Sequence, residues 1–224
     1  NFTANNVVKY SSKQTDEGLE ETGVRLMQLF PEAWENEGLV VALDSSGEPM
    51  IERKLVVDIG SKVMLVTKLD LMAYNSDWEL VLVDEKSTAR ITDVRFALMG
   101  EQLTAYQVAV TAFSHKLGLP PPKRLAYWEL IKRPVPKTSR GEGPTIEPIH
   151  DVDARSDEDI EAYVEKVQAI ADRVRNRDFP KTPRMAWNTP CLMCDFLDIC
   201  SQKRVESFSF QSEEAKEAVI KLAA

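Results

Sequence analysis

One apolar segment that runs into charged residues limits what this chain can fold into. The sequence LVLVDEKST has the composition of a buried strand and then continues into Asp84, Glu85 and Lys86. The preceding segment VMLVTKLDLMAY and the turn residues NSD predict a hairpin that brings Asp70 beside this strand. Since burial of an unpaired carboxylate is costly, Asp84 must reach a strand edge, meet a cation or pair with Lys86.

The hairpin is the last part of a predicted run of four strands. The first two strands are predicted in GLVVALD and MIERKLVVDI, after a helix over residues 16–36 that Pro31 interrupts. A helix over residues 100–116, the strand RLAYWELIK, the loop PVPKTSRGEGPTIEP and an amphipathic helix capped by Ser156 follow. This order predicts an α/β (α+β) fold with a mixed central sheet flanked by helices.

Length and composition favour one domain. The 224 residues with 43% hydrophobic content predict a single domain over 1–224, with a core over about 38–135. A C-terminal helix and cysteine loop over 156–202 and a tail helix over 203–224 complete it. No apolar run approaches the roughly 18 residues that span a bilayer, and no signal peptide is recognisable, so we expect a cytoplasmic protein without a membrane partner. The first residue is Asn1 rather than Met, which leaves open a segment upstream of it.

The charged end of the hairpin has the residue types of a divalent metal site. A hard cation such as Mg2+ or Mn2+ prefers oxygen ligands, which Asp70, Asp84 and the backbone carbonyl of Glu85 can supply. Lys86 points to the same side of its strand as Asp84, where its ammonium can orient the attacking water and offset phosphate charge. The alternative is a solvent-exposed strand end that carries ordinary charges.

The spacing of these motifs resembles the RecB-like branch of the PD-(D/E)xK nucleases. The segments TKLDLM and LVDEKST are similar to its Asp and Asp-x-Lys strands, and Gln102-Leu-Thr-Ala-Tyr106 is similar to its Gln-x-x-x-Tyr helix. The resemblance implies a restriction-endonuclease-like core and a metal-dependent DNA nuclease, with exonuclease action in recombination, repair or phage- or CRISPR-related processing. It implies that Gln102 and Tyr106 support the site and that Glu52 is a further metal ligand. Glu52 is otherwise an exposed strand residue beside two basic neighbours.

Charge does not by itself indicate a nucleic-acid partner. The net charge is -8, whereas phosphate contacts need Lys and Arg. Basic residues nevertheless gather in two stretches, one with Lys123 and Arg124 and the other with Arg173 and Arg177. These four residues are the candidates for DNA binding, and the alternative is that both stretches are solvated surfaces.

Three cysteines lie close together near the C-terminus. Cys191, Cys194 and Cys200 indicate metal binding rather than disulfides in a cytoplasmic protein, and thiolates suit zinc or an iron-sulfur cluster. The resemblance implies a [4Fe-4S] cluster whose fourth ligand is missing from this chain. Neither His115 nor His150 matches the family's metal-binding histidine. The alternatives are cysteines that simply pack, or a zinc ion with an external ligand.

Two rival functions remain at this point. The first is a nuclease-like scaffold without activity that binds DNA or other recombination, repair or CRISPR proteins. The second is a regulatory protein whose chemistry lies wholly in the cysteines. Cleavage assays on variants of the acidic hairpin separate both rivals from an enzyme.

Overall fold

The computed structural model describes residues 15–138, 140–178, 194, 197–202, 204 and 208–223. The elements in chain order are α1 (Asp16–Glu37), β1 (Val40–Val41), β2 (Ile51–Asp58), β3 (Met64–Tyr74), β4 (Leu80–Thr88), α2 (Arg95–Met99), α3 (Glu101–Leu117), β5 (Arg124–Ile131), β6 (Thr145–Ile146), β7 (His150–Asp153), α4 (Asp157–Arg175), α5 (Leu197–Gln202) and α6 (Glu213–Ala223).

The strands form one sheet with both pairing directions. Its order is β1-β3-β4-β5-β6, with β2 also paired to β3 and β7 also paired to β5. The pair β4 and β5 is parallel, and the other pairs are antiparallel. The connection between the parallel strands contains α2 and α3, as a parallel pair requires a crossover. The mixed sheet flanked by helices confirms the predicted α/β (α+β) class and fits a restriction-endonuclease-like core.

Each face of the sheet has its own apolar core. On one face, α3 buries residues such as Leu103 and Val110 against Leu82 and Met72. On the other face, the central side chain is Trp128, which belongs to a cluster that includes aromatic residues of α1. Helices on both faces hold β4 between two cores, and β4 is the strand that ends in Asp84-Glu85-Lys86.

The first helix differs from the sequence-based expectation. We predicted that Pro31 interrupts it, but α1 runs from Asp16 to Glu37 with Pro31 inside. A proline removes one helical hydrogen bond, and residues on both sides of it, Phe30 and Trp34, pack against Trp128. This shared packing holds the two halves of the helix in line.

Short elements account for the other differences. The strand predicted in GLVVALD is reduced to the two residues of β1, while the two-residue strand β6 lies in the predicted loop. The five-residue helix α2 and the strand β7 were not predicted. Ser156 caps α4 as predicted, because its hydroxyl accepts the N–H of Asp159 at 3.2 Å and donates to the Asp159 carboxylate at 2.7 Å. No residue of α4, all of whose positions are described, is fully buried.

The chain divides into two compact units, residues 1–168 and residues 169–224. The sheet, α1 to α3 and the first part of α4 belong to the first unit, and α5 and α6 belong to the second. The predicted single domain over 1–224 stays a prediction. No helix in the described parts of the chain is long and apolar enough to cross a membrane.

Candidate active site

Asp70 lies where the β3 and β4 strands separate. Their ladder ends at the pair Leu71 and Val83, so the next residues, Asp70 and Asp84, stand at the fork. The Glu85 N–H donates to Asp70 Oδ2 at 3.0 Å instead of to a β3 carbonyl. The hairpin register thus brings together the two carboxylates that are fourteen residues apart in the sequence.

Asp84 is the central residue of the site and is fully buried. Its Oδ1 accepts hydrogen bonds from Gln102 Nε2 at 2.6 Å and from Tyr106 Oη at 3.0 Å. Its Oδ2 forms an ion pair with Lys86 Nζ at 2.5 Å and accepts no hydrogen bond from a described residue. A buried oxygen with free lone pairs can take a further electrophilic partner, such as a metal ion.

Gln102 connects the other polar groups of the site. Its Nε2 donates to Tyr106 Oη at 2.8 Å as well as to Asp84, and its Oε1 accepts from Lys86 Nζ at 2.9 Å. Burial raises the pKa of Tyr106, and the nearby Asp84 charge raises it further, so the phenol keeps its proton and donates. Gln102 and Tyr106 can both reach Asp84 because residues i and i+4 share one helix face.

The acidic groups around the site disfavour one another's charged forms. Burial raises the pKa of Asp70, and the charges of Asp84 and Glu52 raise it further, against a lowering by the Glu85 N–H. The Glu85 side chain is exposed to solvent. Partial desolvation and the charge of Asp70 nevertheless raise its pKa. Since these folded-state pKa values are raised, the ionised cluster costs stability at neutral pH, and protonation or a bound cation relieves that cost.

These groups fit a divalent cation only in a limited sense. Within the described residues, no three His, Cys, Asp or Glu side chains converge on a point that could hold a metal ion. The predicted set needs only the carboxylates of Asp70 and Asp84 and the backbone carbonyl of Glu85. Two observations favour a cation: Asp84 Oδ2 accepts no hydrogen bond from a described residue and has only the Lys86 ion pair, and the acids repel one another.

Glu52 lies at the margin of this cluster. It has φ 53°, an uncommon conformation for a residue within a strand, and its carboxylate forms an ion pair with Lys68. Its charge contributes to the raised pKa values of Asp70 and Glu85, which places it near both groups. Whether it binds metal stays a prediction.

Tyr127 is a site residue that the sequence reasoning missed. It stands opposite Asp84 in the parallel β4–β5 register, and Lys86 Nζ lies 5.8 Å from the centre of its ring. A Cβ added to Gly100 would collide with the Tyr127 hydroxyl. Gly100 therefore lets the start of α3, which carries Gln102, approach β5 closely. The pattern RLAYWELIK shows a tyrosine in a strand but not that its register partner is Asp84.

We expect Gly100→Ala to lower cleavage activity about tenfold, because the added methyl group displaces Tyr127 or Gln102 by part of an ångström. Removing the clashing hydroxyl in the double variant Gly100→Ala/Tyr127→Phe should restore most of the loss. Steady-state kinetics on the two single variants and the double variant measure this. Additive losses in the double variant would contradict the steric explanation.

The predicted DNA-binding residues differ in their surroundings. Arg124 forms ion pairs with Asp151 and Asp153, and Arg173 forms one with Asp178. Lys123 is exposed beside Arg124, and Arg177 has φ 55° just after α4. The paired guanidinium groups are already neutralised by carboxylates, so the structure does not favour Arg124 or Arg173 for phosphate contact. Binding by all four stays a prediction.

The cysteine cluster cannot be assembled from the described part of the chain. Cys191 lies outside the described residues, Cys194 is exposed, and Cys200 lies in α5. An iron-sulfur or zinc site therefore stays a prediction. Of the two histidines, His115 is exposed in the last turn of α3, and His150 pairs with Tyr127 in the sheet.

The chain matches a family of nucleases, and its mixed sheet flanked by helices is consistent with the fold of that family. The chain belongs to the PD-(D/E)XK nuclease superfamily, which it matches over residues 9–201. Nucleases of this superfamily typically use divalent metals such as Mg2+ or Mn2+. The RecB-like assignment within the superfamily stays a prediction.

The chain is also similar to a solved structure titled "Crystal structure of SSO0001". The two are 14% identical, the match covers 81% of this chain and 69% of that chain, and the TM-score is 0.43. No curated protein matches the chain.

Proposed function

We propose that this chain is a metal-dependent deoxyribonuclease that removes nucleotides from DNA ends as an exonuclease, in recombination, repair or phage- or CRISPR-related processing. The observation that carries the proposal is the buried Asp84 carboxylate, one oxygen of which is fixed by two donors while the other forms an ion pair with Lys86 and accepts no hydrogen bond from a described residue. Membership of the PD-(D/E)XK superfamily supports it. The alternative is a nuclease-like scaffold without activity.

Asp70, Asp84 and the backbone carbonyl of Glu85 would hold Mg2+ or Mn2+. When bound, such an ion acidifies a water molecule and neutralises charge on the phosphate. Gln102 and Tyr106 keep the Asp84 carboxylate in one orientation, because both donate to its Oδ1. The carboxylate therefore needs little reorganisation when substrate arrives.

Lys86 would act on the attacking water. Its ammonium is held by Asp84 on one side and by the Gln102 carbonyl on the other, and its side chain is 40% exposed. It can thus reach a solvent molecule while these two contacts hold it in position. The water oxygen bonds to phosphorus, the ester P–O bond breaks, and the leaving oxygen takes up a proton, which yields a phosphate monoester and a hydroxyl end.

A cleavage assay tests the proposal. Linear DNA labelled at one end should be degraded by the unmodified protein with Mg2+ or Mn2+ and not with a chelator, and Lys86→Gln should be slower by about a hundredfold. A closed circular duplex should remain intact if the enzyme acts at ends. Failure of the unmodified protein to cleave any of these DNAs with either metal would favour the inactive scaffold.

Metal binding can be measured separately from cleavage. Because a cation relieves the repulsion between the acids, Mn2+ at about a hundred times its Kd should stabilise the folded protein by about 2.7 kcal/mol. Asp70→Asn should remove this gain in thermal stability. Asp77→Asn is the matched control, since Asp77 is exposed in the turn of the same hairpin. An equal metal effect in Asp70→Asn would place the cation elsewhere.

A further inference from the structure

Two lysines face each other across the β2–β3 hairpin. Lys54 and Lys68 are directly opposite partners in the antiparallel register, and both are exposed. Residues opposite each other in such a pair have Cβ atoms about 5 Å apart, and like charges there are destabilising. Since the pair does not stabilise the fold, the presence of both lysines needs another explanation.

The lysine pair borders the candidate active site. Lys68 lies two residues before Asp70 on β3, and its ammonium forms an ion pair with Glu52. The Lys68 ammonium therefore lies beside the acidic cluster. Lys54 forms no ion pair with any described residue. One of the two charges is therefore free.

We propose that Lys54 and Lys68 bind two neighbouring phosphates of the DNA strand and hold it against the acidic site at Asp70. The inference rests on the proposed deoxyribonuclease function and adds to it the surface that receives the substrate backbone.

Electrostatics explain why the site needs such a surface. The charges of Asp70, Asp84 and Glu52 act on one another and on Glu85, so the site is acidic and repels a polyanion. Cations close to the acids offset that repulsion, and those farther away than a Debye length of about 8 Å do so weakly. Arg124 is less suited to this role, because two carboxylates pair with it, whereas Lys68 pairs with Glu52 alone and Lys54 with no described acid.

The spacing of the pair suits a nucleic-acid backbone. Each strand of a duplex carries about one charge per 3.4 Å of helix axis, and two flexible side chains with Cβ atoms about 5 Å apart can reach adjacent phosphates. The pair Leu55 and Thr67 comes next in the register and is buried, and the pair after it, Val56 and Val66, is exposed at 41% and 56%. The two lysines can contact phosphates of the DNA strand, and the two valines can contact its sugars.

Edge protection is the competing explanation for Lys54. Among the described strands, β2 pairs with β3 alone, so it is an edge strand, and an edge lysine discourages pairing with a second molecule. On that explanation, loss of the charge would cause self-association and leave DNA affinity unchanged. The two explanations therefore predict different results for one variant.

The test measures DNA affinity against salt concentration. Lys54→Gln, Lys68→Gln and the double variant are titrated with a fluorescent single-stranded oligonucleotide between about 50 and 200 mM salt, with Ca2+ present to prevent turnover. Each lost phosphate contact should flatten the plot of log affinity against log salt by about 0.7 and weaken binding about fivefold at 0.1 M salt. The double variant should lose about 1.4 in slope.

Lys62→Gln is the matched control, because it removes the same charge from the turn of the same hairpin, away from Asp70. Its slope should equal that of the unmodified protein, and thermal unfolding should show every variant fully folded at the assay temperature. The inference fails if the double variant keeps the full slope while the unmodified protein cleaves and binds DNA, or if Lys54→Gln only self-associates. If the unmodified protein neither binds nor cleaves DNA, the proposed function itself fails.

Discussion

Replacement of Asp84 with asparagine is expected to lower kcat for DNA cleavage by about three orders of magnitude while the protein stays folded. The change removes one of two carboxylates proposed to hold the metal. Without the bound metal, the positive charge that stabilises the transition state is lost. The amide oxygen of the new side chain can still accept the hydrogen bonds that Gln102 and Tyr106 donate to Oδ1 in the unmodified protein. The side-chain shape is conserved, so a loss of activity reports on charge and metal binding.

Stability should respond much less than activity to Asp84→Asn. Removal of one partner from a buried ion pair is costly when the other charge stays buried, but Lys86 has a side chain that is 40% exposed and can be hydrated. The change also relieves repulsion from Asp70, whose pKa is raised in part by Asp84. We expect the free energy of unfolding to change by less than about 2 kcal/mol in urea titrations.

Asp77→Asn controls for the loss of a carboxylate on the same hairpin and should retain full activity. Equal losses of activity and folding in Asp84→Asn would assign Asp84 a structural role instead. Unchanged cleavage by a folded Asp84→Asn protein would contradict the proposed metal site directly.

The parts of the site that the sequence predicted depend on short distances along the chain. Asp70 and Asp84 meet because one tight turn fixes the register of their hairpin. Gln102 and Tyr106 meet because one helical turn separates them. Local geometry of this kind is readable from residue spacing alone.

The parts that were missed depend on pairing between distant segments. Tyr127 faces Asp84 because β5 lies parallel to β4 in one particular register, which no local pattern specifies. Lys54 meets Lys68 in the pairing of β2 with β3, whereas in the sequence it is only one of two basic residues that follow Glu52. Gly100 affects the site because it lies against Tyr127 of β5, which is distant in the sequence.

Charge neutralisation is likewise a long-range property. Arg124 looked available for DNA in the sequence, but β7 pairs with β5 and places Asp151 and Asp153 against it. The residue types alone make the stretch around Arg124 look basic. The electrostatic field there also depends on the carboxylates of Asp151 and Asp153. Lys54 and Lys68 are better candidates for phosphate contact, since only Lys68 has an acidic partner among the described residues.

Trp128→Ala should destabilise the protein by about 3 to 5 kcal/mol, the usual cost of removing a large aromatic side chain from a core. Trp128 is fully buried, its ring centre lies 5.0 Å from that of Phe30 and 5.9 Å from that of Trp34, and its Nε1 donates to the Glu147 carbonyl at 3.1 Å. Urea unfolding followed by circular dichroism measures the loss.

Trp78→Ala is the matched control for this prediction, because Trp78 is 71% exposed and its removal should change stability by less than about 0.5 kcal/mol. Trp128→Phe should lie between the two, since it keeps an aromatic ring but loses the hydrogen bond to Glu147. Trp128 lies on β5 opposite Glu85 of β4, so the core behind the sheet supports the strand that carries Asp84 and Lys86. Trp128→Ala should therefore lower activity at temperatures where the protein is still mostly folded. Full activity there would mean that the site is held by the α3 face alone.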